Sequence, residues 1–278
     1  MTAALLTVPG LECVAKAQAV ADAILSRVEA MTGKTFAARR VEIVGGGALT
    51  GVPAAPEPLE CVLRMAVSSP DRRMLATFTR EVAPAATGMV PGLVSAGAGR
   101  PKIRPLLEHV ALYMDRTGVA ATVRMGDQES VVSMRCASTE LPDPSPPRQL
   151  APRYSALAEP MVRVRLLDLC FGRSGDKGDS ANVALIARNP DHLPFLAHVL
   201  TEDLIRHWFA HLLVSTSTVT RFLLPGIGAL NFLLTEALGG GGLNSLRLDN
   251  QAKTYGQLAL AQSIAVPQSM VSEGRSKL

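Results

Sequence analysis

Residues 161–188 read MVRVRLLDLCFGRSGDKGDSANVALIAR, and the fold prediction for the rest of the chain starts from them. Apolar residues that favour strands stand on both sides of a polar centre, RSGDKGDSAN, which runs from Arg173 to Asn182. We therefore predict two strands with a polar loop between them. The loop carries two carboxylates, two cations, two hydroxyls and an amide, while Gly175 and Gly178 permit positive φ and close approach of a ligand. These features indicate a binding or catalytic loop.

Two other interpretations of this loop are a charged hairpin tip and a Walker A phosphate loop. A charged hairpin tip, stabilised by Asx turns and local ion pairs, would carry the same residues without any chemistry. A Walker A phosphate loop is excluded by the order of the residues, because Lys177 precedes Gly178 and Asp179 follows. That motif instead ends in Gly-Lys-Ser/Thr at the start of a helix.

Downstream of the loop, the sequence predicts a split βαβ sandwich. Thr201 is a good helix N-cap, and the apolar spacing after it is that of a helix. Strand-like segments at 218–224 and 229–234 follow, and Asp249 can cap a last helix. Two helices among these strands fit the split βαβ arrangement. We expect the four consecutive glycines at 239–242 to lie near the polar loop, or else to form a packing seam against a partner chain.

The N-terminal half predicts an α/β lobe. Apolar residues at helical spacing predict a helix from about Gly10 to Met31, and a second helix is expected from Pro70 to about Val82. The predicted strands lie at 40–44, 60–67 and 120–125. The first of these strands ends in Gly45-Gly46-Gly47, which either lines a ligand site or makes a tight turn.

A cationic segment follows a long Gly- and Ala-rich stretch at 84–99. Arg100, Lys102 and Arg104 place three cations within five residues. We expect this segment either to clamp a phosphate or carboxylate group or to form a solvated basic turn.

Proline marks the expected domain boundary. Six prolines between residues 139 and 160, with almost no apolar periodicity, predict a linker. The expected organisation is an N-terminal α/β lobe at 1–138, the linker at 139–160, a C-terminal domain at 161–265 and a flexible tail at 266–278. The predicted fold class is therefore α/β (α+β) with two lobes.

Composition excludes several classes of function. The net charge of +4 is mild, the basic residues are scattered and only 4% of residues are aromatic, so no nucleic acid partner is expected. No stretch approaches about eighteen consecutive apolar residues and the amino terminus lacks the layout of a signal peptide, so neither a membrane partner nor secretion is expected. Four separated cysteines predict buried thiols in a reducing compartment, with Cys170 as the one candidate for a reactive thiol.

Two histidines lie on the predicted helix that follows Thr201. His207 and His211 are four residues apart on one flank, a spacing that permits metal binding. No third ligand stands at a recognisable spacing, so no metal site is predicted. We expect the two histidines to border the core, or His211 to face the polar loop as an acid or base.

The last three residues are Ser276, Lys277 and Leu278, which form the tripeptide that peroxisomal import receptors read. In a eukaryote, the protein is therefore expected in the peroxisomal matrix, with the import receptor as a partner. In a bacterium, the same tripeptide carries no meaning and the protein is expected in the cytoplasm.

Three motifs, in their order along the chain, resemble one protein family. They are the RSGDKGDSAN segment, the segment Pro225-Gly226-Ile227-Gly228-Ala229-Leu230-Asn231-Phe232, and the 239–242 glycines followed by Ser245-Leu246-Arg247-Leu248-Asp249. Together they resemble the carboxy-terminal module of the acyclic terpene utilisation (AtuA-type) family, whose last domain is ferredoxin-like. The segment Gly99-Arg100-Pro101-Lys102 resembles the same family more loosely. Long members have a further domain upstream, so the resemblance implies either a split protein that pairs with a separate chain or a shortened relative.

The resemblance, together with the peroxisomal tripeptide, leads to three hypotheses of function. The first is an enzyme, or the catalytic half of one, that hydrates or dehydrates a branched or unsaturated acyl-coenzyme A, without a redox cofactor and with coenzyme A only as part of the substrate. The second is a non-catalytic subunit of a homo- or hetero-oligomer that docks onto an upstream AtuA-like chain. The third is a module that binds a ligand without turnover.

Under the first hypothesis, each candidate residue has a role. The predicted catalytic residues, which supply a base, an acid and stabilisation of an enolate oxyanion, are Asp176, Lys177, Asp179 and His211. The predicted substrate-binding residues, which hold an anionic group and orient the substrate, are Arg173, Ser174, Gly175, Gly178, Asn182, Arg100, Lys102, Gly240 and Gly241. The base is Asp176 or Asp179, and Lys177 acts on the oxyanion together with backbone N–H groups.

Overall fold

The computed structural model describes residues 1–97, 99–115, 119–132, 154 and 159–272. Most of the predicted linker and the end of the predicted tail, including Ser276, Lys277 and Leu278, lie outside the described residues. The described parts of 1–107 and 151–278 form one compact unit, and those of 108–150 form a second, smaller unit.

The N-terminal lobe is a four-stranded antiparallel sheet with two helices on one face. Its elements are β1 (Thr2–Pro9), α1 (Cys13–Thr32), β2 (Ala38–Val44), β3 (Glu60–Ser68), α2 (Arg72–Gly88) and β4 (Val94–Ser95). The strand order is β2-β3-β1-β4. Since neighbours are antiparallel, β1 is parallel to β2 with β3 between them, and β3 is parallel to β4 with β1 between them. This βαββαβ order of two split βαβ units is the ferredoxin-like arrangement.

Hydrophobic periodicity accounts for both layers of this lobe. The residues of α1 that are buried recur at the 3.6-residue spacing of one helix face: Cys13, Ala17, Val20, Ala21, Ile24, Leu25 and Val28. In β1 every second side chain points toward these helices, namely Ala4, Leu6 and Val8. The second helix begins where the Asp71 carboxylate accepts a hydrogen bond from the Arg73 N–H at 2.8 Å.

The smaller unit contains a two-stranded hairpin, β5 (Ala121–Met125) paired antiparallel with β6 (Gln128–Val132). One face of the hairpin carries the apolar side chains of Val123, Met125 and Val132 together with the polar Ser130 and Gln128. The other face carries an ion pair between Arg124 and Glu129, with 2.7 Å between Nε and Oε2. The described side chains of both strands are exposed, except that of Ala121, which is half-buried.

The C-terminal lobe is a second four-stranded antiparallel sheet. Its elements are β7 (Met161–Arg165), α3 (Leu166–Leu169), β8 (Cys170–Lys177), β9 (Ser180–Ala187), α4 (Leu193–Val199), α5 (Glu202–Trp208), β10 (Val219–Leu224), β11 (Ala229–Leu234), α6 (Tyr255–Leu260), β12 (Ser263–Pro267) and α7 (Ser269–Ser272). The sheet order is β10-β11-β9-β8, and β7 pairs separately with β12. Because β11 lies between β9 and β10, these two strands are parallel and form the predicted split βαβ unit.

Alternation along β9 sets the core of this lobe. Ala181, Val183, Leu185 and Ala187 are buried in the core, whereas the side chains between them lie on the opposite face and are half-buried. The register pairs Val183 with Phe232 of β11, which is also fully buried. The helices therefore cover one face of the sheet, and the other face carries the polar Asn182.

The secondary structure differs from the sequence prediction at several places. Strands β1, β4, β6 and β12 were not predicted, and β12 extends to Pro267, two residues into the expected tail. The helix that carries His207 ends at Trp208, so that His211 lies beyond it. The entering strand, expected through Leu169, is interrupted by the single helical turn α3, which buries Leu166 and Leu169 together. The last helix begins at Tyr255 rather than just after Asp249, because the Asp249 carboxylate first caps a turn through the N–H groups of Lys253 and Thr254.

A buried ion pair joins the two lobes. Glu42 of β2 is hydrogen-bonded to Arg64 of β3, and their side chains are 4% and 11% exposed. Arg64 Nη1 also donates to the Leu246 carbonyl at 2.7 Å, and the Leu248 N–H donates to Glu42 Oε2 at 3.0 Å. The segment that follows the glycine run is thus anchored to the open face of the N-terminal sheet. In the described part of the chain, no helix is both long and apolar enough to cross a membrane.

Candidate functional site

The predicted polar loop is a tight hairpin. Strands β8 and β9 extend to Lys177 and from Ser180, so that only Gly178 and Asp179 form the turn. Gly178 has a φ of +66°, as the first central residue of a type II′ hairpin turn requires. The predicted loop is therefore shorter than expected and corresponds to the hairpin tip given as the alternative, because β8 is an edge strand whose polar side chains remain accessible while its backbone pairs with β9.

Alternation separates the polar side chains of β8 into two groups. Ser174 and Asp176 lie on the face that carries α6 and the 239–242 glycines, whereas Arg173 and Lys177 lie on the opposite face with Asn182. The candidate residues therefore do not converge on one point. The face with the glycines brings together a hydroxyl, a carboxylate and backbone N–H groups, and the opposite face brings together two cations and an amide.

Asp179 connects the hairpin turn to the glycine run. Its Oδ1 accepts hydrogen bonds from the N–H groups of Gly240 and Gly241 at 2.8 and 3.0 Å. Its backbone carbonyl accepts two more, from Ala237 at 2.9 Å and from Leu238 at 3.2 Å. Successive glycine N–H groups with positive φ form a concave anion site, and here the protein's own carboxylate fills it. Asp179 thus holds the site together, and its predicted role as a base stays a prediction.

Gly241 packs directly against the hairpin turn. A Cβ at this position would lie 2.9 Å from the Gly178 carbonyl oxygen, and the φ of Gly241 is +81°. Both facts require glycine here. The glycine run lies beside the polar hairpin, as the sequence led us to expect.

The Ser174 hydroxyl both donates and accepts a hydrogen bond. Its Oγ donates to the Ala252 carbonyl at 2.6 Å and accepts from the Gly256 N–H at 2.8 Å. The hydroxyl therefore fixes β8 to the start of α6. On the opposite face, Asn182 Nδ2 donates to Asn231 Oδ1 of β11 at 3.3 Å, next to Gly175 in the register.

Asp176 is the carboxylate of the hairpin that remains available. It is half-buried, and its carboxylate forms no hydrogen bond or ion pair with any described residue. A Cβ at Gly242 would lie 3.9 Å from Asp176 Oδ2, so the carboxylate borders the glycine run. The N–H groups of Gly242 and Leu243 also donate to no acceptor in the described part of the chain. Gly242, whose N–H is unused, therefore borders the carboxylate.

The cations of β8 are exposed. Within the part of the chain that the structure describes, Arg173 forms no ion pair or hydrogen bond, and Lys177 Nζ donates only to the Asp176 backbone carbonyl at 3.0 Å. Both side chains are therefore free to meet an anionic ligand.

Other predicted site residues lie elsewhere. His211 Nε2 lies 3.3 Å from the Leu49 carbonyl of the N-terminal lobe, and its ring packs on Gly51. Arg100 and Lys102 are exposed, in a segment whose Arg104 N–H donates to the Met1 carbonyl at 2.8 Å. No contact among the described residues joins His211, Arg100 or Lys102 to the hairpin, so their site roles stay predictions. Across the described residues, no group of three or more His, Cys, Asp and Glu could hold a metal ion.

The residues that hold the end of the glycine run in place were not predicted from the sequence. Arg247 is hydrogen-bonded to the carbonyls of Ala237 and Leu212, the latter at 2.8 Å, and donates to the Tyr255 hydroxyl at 3.2 Å. Burial raises the pKa of Tyr255 to about 12, so that the hydroxyl stays protonated and donates to the Ala237 carbonyl at 2.6 Å. Arg247 belongs to the SLRLD motif, to which the sequence alone assigned no role.

The thiol beside the hairpin is not suited to act as a nucleophile. Cys170 is fully buried at the start of β8, and burial raises the pKa of its thiol to about 12. A nucleophilic cysteine needs the opposite shift.

These observations define an α/β protein of two split βαβ lobes, with an available carboxylate beside a glycine run in the second lobe. A family model for the AtuA ferredoxin-like domain matches residues 164–265, and a model for the acyclic terpene utilisation family protein AtuA matches residues 1–125. The chain belongs to this AtuA family and is related to acyclic terpene utilisation. No curated protein and no solved structure gives a significant match.

Proposed function

We propose that this protein is an enzyme, or the catalytic subunit of one, that hydrates or dehydrates a branched or unsaturated acyl-coenzyme A. The observation that carries the proposal is the half-buried Asp176 carboxylate, which has no partner in the described residues and borders Gly242, whose N–H is unused. A carboxylate kept free in a partly buried place is available as a general base. The family name supports a substrate class of acyclic terpenes, whose breakdown yields branched acyl chains.

The proposed reaction needs a base and an oxyanion site. In hydration, Asp176 takes a proton from water while the water oxygen bonds to the β carbon of the unsaturated thioester. The electrons of the carbon–carbon double bond move toward the thioester oxygen, which becomes an enolate oxyanion. The protonated Asp176 then gives its proton to the α carbon, which regenerates the carboxylate, and dehydration follows the same steps in reverse. No electron acceptor is required.

The glycine run is the proposed oxyanion site. The N–H groups of Gly242 and Leu243 are unused in the described structure and Gly242 borders Asp176, whereas Lys177 lies on the opposite face of the sheet. Backbone N–H groups that are already in place stabilise a developing oxyanion without reorganisation. We therefore assign the oxyanion to the glycine run, and we assign to Arg173 and Lys177 the attraction of the anionic part of coenzyme A.

The test is turnover by paired variants. The Asp176→Asn variant keeps the size of the side chain and removes the base, so we expect the rate of hydration of a branched unsaturated acyl-coenzyme A to fall at least about 100-fold. The matched control is Asp191→Asn, whose exposed carboxylate lies after β9 and forms no side-chain contact in the described residues. An Asp176→Asn variant as active as the control would rule out the proposed role.

A second candidate function is that of a subunit that works in association with another chain. The observation that favours it is the exposure of three apolar side chains on one face of the β5–β6 hairpin, where Val123, Met125 and Val132 are 52%, 76% and 45% exposed. An isolated two-stranded hairpin is marginally stable in water, and packing of these side chains against another chain would stabilise it. We expect Val123→Thr to shift the molar mass measured by light scattering toward the monomer, and Val131→Thr, on the other face, to leave it unchanged. Equal masses for both variants and the wild type would exclude this face as the contact.

A further inference from the structure

A cavity lies beside the glycine turn that follows β2, away from the hairpin site. It has a volume of about 420 Å³, and the residues that line it include Gln18, Arg40, Glu42, Gly46, Gly47 and Ala48. Volumes of this order accept small organic ligands. The triple glycine Gly45-Gly46-Gly47 lies at this place and has no part in the proposed function.

Arg40 brings an uncompensated positive charge to this cavity. Its nearest carboxylate is Glu42, with 3.6 Å between Arg40 Nε and Glu42 Oε1. Arg40 Nε is buried and has no hydrogen-bond partner in the described structure. Glu42 is instead hydrogen-bonded to Arg64 and accepts from the Leu248 N–H, so that one carboxylate serves two guanidinium groups. The three side chains carry a net charge of +1, and Arg40 is the cation without a hydrogen-bonded anion.

The glycine turn adds unused donors. Gly46 N–H donates to the Ile43 carbonyl at 3.0 Å, and Gly51 N–H donates to the Gly47 carbonyl at 2.9 Å. The N–H groups of Gly47 and Ala48, between these bonds, donate to no acceptor in the described structure. Consecutive free N–H groups in a glycine turn form a site suited to an anion.

The wall of the cavity is preformed. A Cβ at Gly47 would lie 2.2 Å from the Val52 carbonyl oxygen, and a Cβ at Gly51 would lie 2.3 Å from Cγ of His211. Only glycine permits these contacts, so the turn is held in one shape by its own packing and by His211. A rigid wall of this kind lowers the entropy cost of binding.

We propose that this cavity binds the phosphate group of a small organic ligand, with Arg40 and the N–H groups of Gly47 and Ala48 as its partners. A guanidinium group matches the tetrahedral oxyanion with paired N–H donors, and the backbone groups add two more. The apolar residues of the wall, Val14, Val52 and Pro53, border the rest of the ligand. This inference does not depend on the proposed acyl-coenzyme A chemistry, because it concerns a different lobe and different residues.

The test is calorimetric titration of the full chain with inorganic phosphate and with pyrophosphate. We expect both to bind the wild type, and we expect Arg40→Gln to weaken binding at least about tenfold, since it removes a charged hydrogen-bond donor. The matched control is Arg39→Gln. Arg39 is the preceding residue of β2, points to the opposite face and lies 3.7 Å from Glu29 through Nη1, so binding by this variant should equal that of the wild type.

A competition experiment with acetate and a second Arg40 variant complete the test. Acetate should not compete with pyrophosphate, and competition by acetate would mean that the cavity selects carboxylates instead and would overturn the proposal. Arg40→Lys keeps the charge and the folding context but loses the planar fork, so we expect its affinity to lie between those of the wild type and Arg40→Gln. Unchanged affinity in both Arg40 variants, or no binding by the folded wild type at 20 mM of either anion, would also overturn it.

Discussion

Two aspartates three residues apart in the hairpin have different environments. Asp179 accepts hydrogen bonds from Gly240 and Gly241, whereas Asp176 has no partner in the described residues. Both aspartates are candidate bases from the sequence, which does not indicate that only Asp179 accepts hydrogen bonds from the glycine run. The donors to Asp179 lie 61 and 62 residues further along the chain, and no local pattern reports a contact of that range.

The role of Asp179 predicts a loss of stability. In Asp179→Ala the N–H groups of Gly240 and Gly241 lose their acceptor, so we expect the free energy of unfolding to fall by about 1–3 kcal/mol. Urea unfolding measures this change. The control is Asp127→Ala, since Asp127 is exposed and its side chain has no partner in the described structure. A loss no larger than that of the control would show that the contact contributes nothing to stability.

Asp249 predicts how stability depends on pH. Its partial burial raises the pKa, but hydrogen bonds from the Thr254 hydroxyl and from the N–H groups of Thr254, Lys253 and Gln251 outweigh burial, and the net effect lowers the pKa. A carboxyl whose pKa is lowered in the folded state contributes stability above its unfolded pKa, about 3.9 for Asp, and loses it as pH falls through the folded value. We expect Asp249→Asn to be less stable at pH 7 and to lose less stability between pH 4 and pH 2 than the wild type. Urea unfolding at both ends of this range checks the difference, and parallel curves would contradict it.

At the scale of elements, periodicity predicted the long helices and the paired strands. The spacing of apolar residues in α1 and the strand-like segments of β10 and β11 predicted those elements correctly. The strands β1 and β12 escaped prediction because each lies near an end of the described chain, where turn residues bound it on one side only. The extent of the hairpin strands was not predicted, because the polar edge strand lacks an apolar face.

The packing of the glycine run against the hairpin can be tested by comparing alanine substitutions at Gly241 and Gly242. In Gly241→Ala the new Cβ meets the Gly178 carbonyl oxygen at 2.9 Å and the φ of +81° is unfavourable, so we expect a loss of more than about 1 kcal/mol in the free energy of unfolding. In Gly242→Ala the nearest atom lies 3.7 Å away, so the change should stay within about 0.5 kcal/mol. Thermal unfolding of both variants measures the difference. Equal losses would mean that the close approach is not needed.

At the scale of the whole molecule, the sequence predicted two lobes and their fold class but not how they join. The joining contacts include the hydrogen bonds of Arg64 to the Leu246 carbonyl and of the Leu248 N–H to Glu42, which span 182 and 206 residues. The sequence also gave no sign that the N-terminal lobe has the ferredoxin-like strand order. That order depends on which strands pair, and pairing across a lobe is not encoded in local periodicity.

The ion pair that joins the lobes predicts a large effect of one substitution. In Glu42→Gln the buried Arg64 keeps its charge without an anion, so we expect the free energy of unfolding to fall by about 3–5 kcal/mol. Arg27→Gln removes an ion pair whose arginine is 61% exposed, and its effect should stay below about 1 kcal/mol. Denaturant unfolding compares the two, and similar losses would show that burial does not strengthen the contact.

The central claim is that the C-terminal lobe of this chain holds an acyl-thioester site. The most direct test is the thermal unfolding midpoint of the purified chain with branched and straight, saturated and unsaturated acyl-coenzyme A thioesters, and with free coenzyme A. A ligand at about a hundred times its dissociation constant adds roughly 2.7 kcal/mol to stability, which shifts the midpoint measurably. We predict a rise with branched unsaturated thioesters that is larger than the rise with free coenzyme A, and no shift with any thioester would contradict the claim.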